Sequence, residues 1–307
     1  NTISFKGCSF GSDEAASVNG GDLGVTYGAT FDDKCSFADF VPGQKGASYT
    51  YVSDGVIDSE QEILEAIESG GEVVIEDGYY NLSEYIESVD MDEWNENHSY
   101  VFIEEVFDGR GVFVFDLDGL RISSASEDPA NCEIVVDPRY SEVFNFAYCS
   151  DILMNGITMG QTDLGSCAGD VLEFYACDDI WLYNMDLYGC GVYGLYLDAC
   201  GTLHMYDSKI HDCESGPANF YNMEGSAFFE SCEFVDSGSG FYIGASEYKV
   251  YFENCTFGDY ETTSVAFNHQ AVLDNCVQGD ILYYPENYLG TIDDYDVVSI
   301  SVTDFMY

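Results

Sequence analysis

The sequence predicts an all-β fold, a parallel β-helix with about 23 residues per coil, three strands per coil and an N-terminal helical cap. Apolar and polar residues alternate along many short segments, and a period of two is typical of strands. Cysteines recur 23 residues apart, from Cys177 to Cys200 and from Cys232 to Cys255. A fixed period in the twenties is typical of stacked units, each too small to bury its own apolar face. An amphipathic segment precedes the repeats.

The chain divides into four regions. Residues 1–50 contain segments with the alternation of strands around Cys8 and Cys35. They are predicted to form either a separate small β layer or a layer along the side of the β-helix. Residues 51–130 hold the cap helix and the first coils, and residues 131–280 hold the regular coils. Residues 281–307 do not continue the repeat. Their segment "VVSISVTDF" alternates like a last edge strand and is predicted to close the far end of the β-helix.

The cap is predicted from the segment Ser59 to Leu82. Ile63, Leu64 and Ile67 share one side of a helix, and the following pair of glycines ends it before a strand begins. A helix before the first coil covers a sheet edge that would otherwise pair with another molecule.

The regular coils place like residues above one another. Cys232, Cys255 and Cys276 occupy the same slot in three units, and small side chains there leave room for Phe beside them. We therefore expect an interior ladder of mostly free, buried thiols, with disulfides as the alternative. The coil before this run has 28 residues, and its extra residues predict a loop from Gly160 to Asp170.

The net charge and the residue composition exclude several kinds of partner and cofactor. The chain has 8 basic and 57 acidic residues, a net charge of −49, which repels nucleic acid and anionic lipid. No apolar run is long enough for a membrane span. Without a CxxC pair or a Cys/His cluster the sequence indicates no zinc site. No cofactor is predicted, except that carboxylates could collect Ca²⁺.

The cap helix, the strand "EVVIEDGYYNL" and the repeated "ENCTF" coils resemble right-handed parallel β-helix repeat proteins of the pectate-lyase-like superfold. More narrowly, they resemble uncharacterised extracytoplasmic β-helix proteins of gut Firmicutes. The resemblance covers residues 55–280 and implies a right-handed coil, a groove on one flat strand face and a location outside a bacterial cell or on its surface. It implies no single activity, because the superfold hosts lyases, hydrolases, epimerases, phage tailspikes and adhesins.

Alternation predicts an outward row of side chains that suits a sugar, with further outward side chains beside it. Aromatic faces with nearby carboxylates and amides provide stacking and hydrogen bonding for a sugar ring, although Tyr is also a favoured strand residue. The predicted ligand-binding residues are Tyr175, Tyr196, Asn219, Tyr221 and Tyr242.

The sequence favours a non-catalytic scaffold that binds a glycan or a partner surface through this row. The alternative is a glycoside hydrolase acting on a neutral polysaccharide, with Glu173 and Asp198 as the acid and base pair. A lyase needs a cationic base, and the repeat region offers only Arg139, Lys209 and Lys249.

The histidines give no further signal for catalysis. His204 and His211 fall on different strands, and an isolated surface pair is the simpler interpretation.

Overall fold

The computed structural model describes residues 57–106, 109–137, 142–162, 169–189, 192–237, 241–243, 248–258 and 271–278, together with short strands outside these ranges. Several residues of the sequence analysis lie outside the described residues. They are Cys8, Cys35, Arg139, the centre of the loop at 163–168, and residues 284–297 and 300–307.

The chain winds into a β-solenoid whose coils stack through three parallel sheets, and the predicted all-β coil of three strands is confirmed. Each turn contains about 24 residues. Sheet S1 contains β6 (Glu72–Ile75), β10 (Arg121–Ser124), β13 (Ser150–Asn155), β16 (Asp178–Tyr183), β19 (Leu203–Tyr206), β22 (Ala227–Glu230), β25 (Val250–Glu253) and β28 (Ala271–Asp274).

The other two large sheets complete each turn. Sheet S2 contains β7 (Gly78–Asn81), β11 (Cys132–Val136), β14 (Thr158–Gln161), β17 (Asp186–Tyr188), β20 (Lys209–His211), β23 (Glu233–Val235), β26 (Thr256–Phe257), β29 (Cys276–Gln278) and β30 (Ile281–Tyr283). Sheet S3 contains β8 (Val101–Val106), β9 (Gly109–Phe115), β12 (Phe144–Ala147), β15 (Leu172–Tyr175), β18 (Tyr193–Asp198), β21 (Gly216–Tyr221) and β24 (Tyr242–Ile243).

Helix α1 (Glu60–Ser69) confirms the predicted cap helix. The Ser59 side chain accepts from the backbone N–H of Glu62, and the Glu62 carboxylate accepts from the Ser59 hydroxyl, a reciprocal arrangement that favours helix initiation. Ile63, Leu64 and Ile67 are fully buried against the first coils. The helix therefore packs its apolar side onto the end of the core.

The cap contains more elements than the sequence predicts. Helices α2 (Leu82–Ile86) and α3 (Met91–Asn97) follow the first coil, and β8 pairs antiparallel with β9 at the edge of S3. The Trp94 indole donates to the carbonyl of Val101, which joins α3 to β8. None of the helices among the described residues is long and apolar enough to cross a membrane.

The corners of the solenoid share one backbone conformation. A residue with positive φ ends a strand, and the next side chain faces the core. Asn and Asp adopt this left-handed conformation more readily than most residues, and they occupy many of these corners. Examples are Asn184, Asp207, Asn254 and Asn275 at the corner from S1 to S2, and Asp116 and Asn222 at the corner from S3 to S1.

Thiols stack behind two of these corners. Cys232, Cys255 and Cys276 lie in adjacent coils as predicted, and the eight cysteines of the described residues are all free and buried. The Cys255 thiol donates to the carbonyl of Glu253 in its own coil and to that of Phe229 in the coil before. Each thiol of this kind links two coils. The second ladder consists of Cys149, Cys177 and Cys200.

Short strands lie at both ends of the chain. In residues 1–51, β1 (Ile3–Phe5), β3 (Ala29–Phe31) and β5 (Thr50–Tyr51) pair in parallel, as do β2 (Ser9–Phe10) and β4 (Ser36–Phe37). Towards the C-terminus β30 pairs antiparallel with β29, and β31 (Val298–Ser299) pairs antiparallel with β27 (Ala266–Phe267). A strand thus forms within the segment "VVSISVTDF".

Opposite faces of one strand provide a test of the solenoid core. Phe229 is fully buried and contacts the Phe252 and Phe234 rings, whereas its neighbour Phe228 lies on the outer face. We expect Phe229→Ala to lower the free energy of unfolding by about 3–5 kcal/mol and Phe228→Ala by about 1 kcal/mol. Urea denaturation of both variants measures the difference. Equal losses would contradict the inward and outward assignment.

Candidate functional site

The outer face of S3 brings the predicted binding residues together in two parallel rows, one residue per coil. The register aligns the Tyr196 row, which consists of Phe113, Asn145, Glu173, Tyr196, Asn219 and Tyr242. Beside it the register aligns the Tyr175 row, which consists of Phe115, Ala147, Tyr175, Asp198 and Tyr221.

The tyrosines of these rows are accessible from outside. Tyr175, Tyr221 and Tyr242 are 41%, 44% and 52% exposed, while Tyr196 and Asn219 are half-buried. The pKa of Tyr196 is raised by burial and by the charges of Asp198, Glu173 and Asp170. Tyr196 therefore lies at the acidic centre of the face, and the other tyrosines surround it.

Three carboxyl groups lie together beside the start of β15, and we call them the acid trio. One carboxylate oxygen from each of Glu142, Asp170 and Glu173 lies within 4.8 Å of the others. Asp170 is 8% exposed, and its carboxylate accepts from the backbone N–H of Tyr193 at 2.8 Å. Glu142 and Glu173 are half-buried. Proximity and burial together disfavour ionisation of all three groups.

The pKa values of all three carboxyl groups lie above their ordinary values. Burial, followed by the charges of Glu142 and Asp198, raises the pKa of Glu173 to about 7. Burial also raises the pKa of Asp170 to about 8, with a smaller lowering from the Tyr193 N–H. The pKa of Glu142 is raised by burial. None of the groups that shift these three pKa values is basic. The site therefore contains carboxylic acids able to donate a proton near neutral pH.

Asp198 lies diagonally from Glu173, as the sequence predicts. The register places Glu173 opposite Tyr196, and Asp198 opposite Tyr175. Two residues along a strand and one strand across place the two backbone positions about 8 Å apart. From there the side chains can reach the separation of about 5–9.5 Å found between the paired carboxyl groups of glycosidases. Asn222 donates to the Asp198 carboxylate at 3.3 Å. The structure thus brings the proposed acid and base to adjacent coils.

The acid trio also has the composition of a cation site. Its oxygens lie close enough together to share one ion, and carboxylate oxygens suit Ca²⁺. Among the described residues, Glu142, Asp170 and Glu173 are the group that could hold such an ion, and Ca²⁺ binding stays a prediction.

Glu142 and Asp170 were not predicted as site residues from the sequence. The two residues are 28 positions apart, the same separation as the paired residues Phe144 and Leu172 of β12 and β15. They therefore occupy equivalent positions in consecutive coils. Applying the longer coil length to the residues that precede each strand would have identified the pair.

The histidines lie on different strands at outward positions, as predicted, but they are not isolated. On S1, His204 stacks on Trp181 with ring centroids 3.9 Å apart. On S2, His211 lies between Asp186 and Asp212, at 3.0 and 2.5 Å from their carboxylates, and these contacts raise its pKa. Each histidine stabilises the stack of coils on its own sheet.

The rings on S1 are arranged differently from those on S3. Trp181, His204, Phe228 and Tyr251 stack in consecutive coils with interplanar angles of 5–11°. Their faces are covered by one another, so a ligand would meet mainly ring edges. On S3, Asn219 separates Tyr196 from Tyr242, and these rings do not cover each other. S3 is therefore the better candidate for sugar stacking.

One comparison with known proteins, a family model, supports the fold. A family model described as "Right handed beta helix region" matches residues 150–283, which agrees with the predicted right-handed coil. A crystal structure described as a "putative glycosyl hydrolase" from Parabacteroides merdae ATCC 43184 is 11% identical, with a TM-score of 0.31, and the alignment covers 74% of this chain and 93% of that one. Similarity at this level supports no conclusion about activity. No curated protein matches the chain.

The acid trio makes stability depend on pH. The folded-state pKa values of Glu173 and Asp170 lie above their ordinary values, so the folded state binds more protons than the unfolded state. The contribution of these two groups to the free energy of unfolding is therefore fully present below about pH 4, and it falls as pH rises towards 8. We expect Glu173→Gln and Asp170→Asn to raise the Tm at pH 8 by about 2–6 °C and to flatten this slope.

Calorimetry between pH 4 and pH 9 measures the effect. Glu253→Gln, which changes an exposed carboxylate on S1, serves as the matched control and should keep the wild-type slope. An unchanged slope in the Glu173→Gln and Asp170→Asn double variant would contradict the assignment of raised pKa values to the trio.

Proposed function

We propose that the outer face of S3 binds a neutral polysaccharide and that this binding is non-catalytic. The observation that carries the proposal is the alignment of Tyr196, Asn219 and Tyr242 in one row, with Tyr175 and Tyr221 in the next. Aromatic faces supply apolar contact to a sugar ring, and amides and carboxyls supply hydrogen bonds to its hydroxyls. The net charge of −49 disfavours a uronate polymer.

The same proposal places the protein outside a bacterial cell or on its surface, where polysaccharides are encountered. Its support is the resemblance of the repeated coils to extracytoplasmic β-helix proteins. Fractionation of the native host, followed by immunodetection in medium, envelope and cytoplasm, tests this location. Retention in the cytoplasm would contradict it.

Removal of single tyrosines tests the binding face. We expect Tyr196→Ala and Tyr221→Ala each to weaken glycan affinity about threefold to tenfold, because an aromatic contact typically contributes about 0.5–1.5 kcal/mol. A glycan array of neutral polysaccharides identifies the ligand, and titration calorimetry measures each variant against it.

Tyr251→Ala is the matched control, since Tyr251 lies on the outer face of S1 in the aromatic stack. It should bind like the wild type. An array without any hit, or variants of Tyr196 and Tyr221 with wild-type affinity, would contradict glycan binding by the outer face of S3.

Glycoside hydrolysis is a second candidate, favoured by one observation. Glu173 has a pKa of about 7 and lies diagonally from Asp198, so one carboxyl group can donate a proton to the glycosidic oxygen while the other acts as base or nucleophile. Lyase chemistry is not favoured, because Lys209 lies on S2 beside Asp186 and Lys249 is exposed before β25 on S1.

A reducing-end assay on mixed neutral polysaccharides separates hydrolysis from binding. If the pair is catalytic, Glu173→Gln should lower turnover by about 10²–10⁴-fold. Wild-type activity should fall as pH rises above the Glu173 pKa of about 7, because the acid loses its proton. Wild-type protein that binds glycan without releasing reducing ends would exclude this candidate and support non-catalytic binding.

A further inference from the structure

One amide oxygen on the S3 face lacks a hydrogen-bond partner. The Oδ1 atom of Asn219 is inaccessible to solvent and has no donor within reach. The other described side-chain atom of this kind is Asp186 Oδ1, which lies 3.0 Å from His211 Nε2 and so has a partner when His211 is protonated. An unsatisfied buried acceptor costs about 1–3 kcal/mol, so the position of Asn219 needs an explanation.

The fold itself does not require an asparagine there. Asparagines elsewhere in the described residues make side-chain hydrogen bonds that join segments of the chain, for example Asn184 to the carbonyl of Glu127 and Asn222 to Asp198. The coils on either side of Asn219 carry Tyr196 and Tyr242 at the equivalent position. An aromatic side chain therefore fits this row as well as an amide does.

The short amide creates a gap between two long side chains. Tyr196 and Tyr242 are two coils apart, which corresponds to about 9.6 Å along the solenoid. Tyr221 lies beside the gap in the Tyr175 row, and Asp198 precedes it there. Asn219 forms the floor, and the surrounding side chains are those expected around a sugar ring.

We propose that Asn219 fixes a sugar ring in the gap between Tyr196 and Tyr242 by hydrogen bonding to its hydroxyl groups. This inference rests on the proposed function and identifies its specificity-determining residue. No hydrogen bond restrains Oδ1, so a change of rotamer breaks no bond at that atom and turns the oxygen towards the ligand. A sugar hydroxyl is both donor and acceptor and supplies the partner that the protein lacks.

Asn219→Leu should weaken glycan binding while the stability of the protein stays the same or rises. Leucine has a similar shape and removes the unpaired acceptor, which is neutral or stabilising when no partner is left behind. The same change removes the hydrogen bond to the ligand, which should weaken affinity about threefold to tenfold. A purely structural asparagine would instead lose stability.

The experiment uses the full chain and four neutral probes, cellohexaose, xylohexaose, mannohexaose and the hexamer of N-acetylglucosamine. Titration calorimetry measures affinity, and scanning calorimetry measures Tm. The matched control is Asn155→Leu, which changes a half-buried outer asparagine of S1. We expect weaker binding with an unchanged or higher Tm for Asn219→Leu, and wild-type binding for Asn155→Leu.

The outcomes separate this inference from the proposed function. If the wild type binds none of the four probes, the proposed function fails and the inference fails with it. If the wild type binds and Asn219→Leu binds equally well, or loses binding together with stability, the inference alone is overturned. If Asn219→Leu does not fold, Asn219→Ser removes the amide without added bulk, and the same results decide.

Discussion

In-register hydrogen bonding between successive parallel strands is the constraint on which the rest of this structure depends. Each coil is too small to bury its apolar residues alone, and stacking completes the core. Parallel register also places equivalent side chains directly above one another, about 4.8 Å apart. Any property that recurs at one position of the repeat therefore becomes a continuous row along the solenoid, either in the core, as for the thiols and Phe rings, or on an outer face.

The three outer faces use their rows differently. S1 packs aromatic rings against one another from Trp181 to Tyr251. S2 carries bonded polar groups, with Tyr188 donating to Glu133 at 2.5 Å and His211 held between two aspartates. S3 combines exposed tyrosines with carboxyl groups whose burial costs stability. Groups with strongly shifted pKa values concentrate at functional sites, and on S3 carboxyl groups of this kind adjoin accessible rings.

The sequence predicts the parts of this structure that follow from a local period. Alternation and the spacing of cysteines identify the coil, and the helix signal from Ser59 onwards identifies α1. A constant period does not predict contacts across a coil of a different length. The approach of Glu142 to Asp170 spans a coil of 28 residues and was therefore not predicted. The repeat also does not predict the cap, where α2, α3 and the antiparallel pair of β8 and β9 interrupt the coils. The stacking of His204 on Trp181 depends on side-chain orientation, which alternation does not specify.

A crystal structure of the protein with the tightest-binding neutral hexasaccharide is the most direct test of the central claim. The S3 assignment predicts a sugar on the outer face of that sheet, in contact with Tyr196 and Tyr242 and hydrogen-bonded to the Asn219 amide. A fully occupied sugar seated on S1 or S2, with the tyrosines of S3 unchanged and free of ligand, would contradict it.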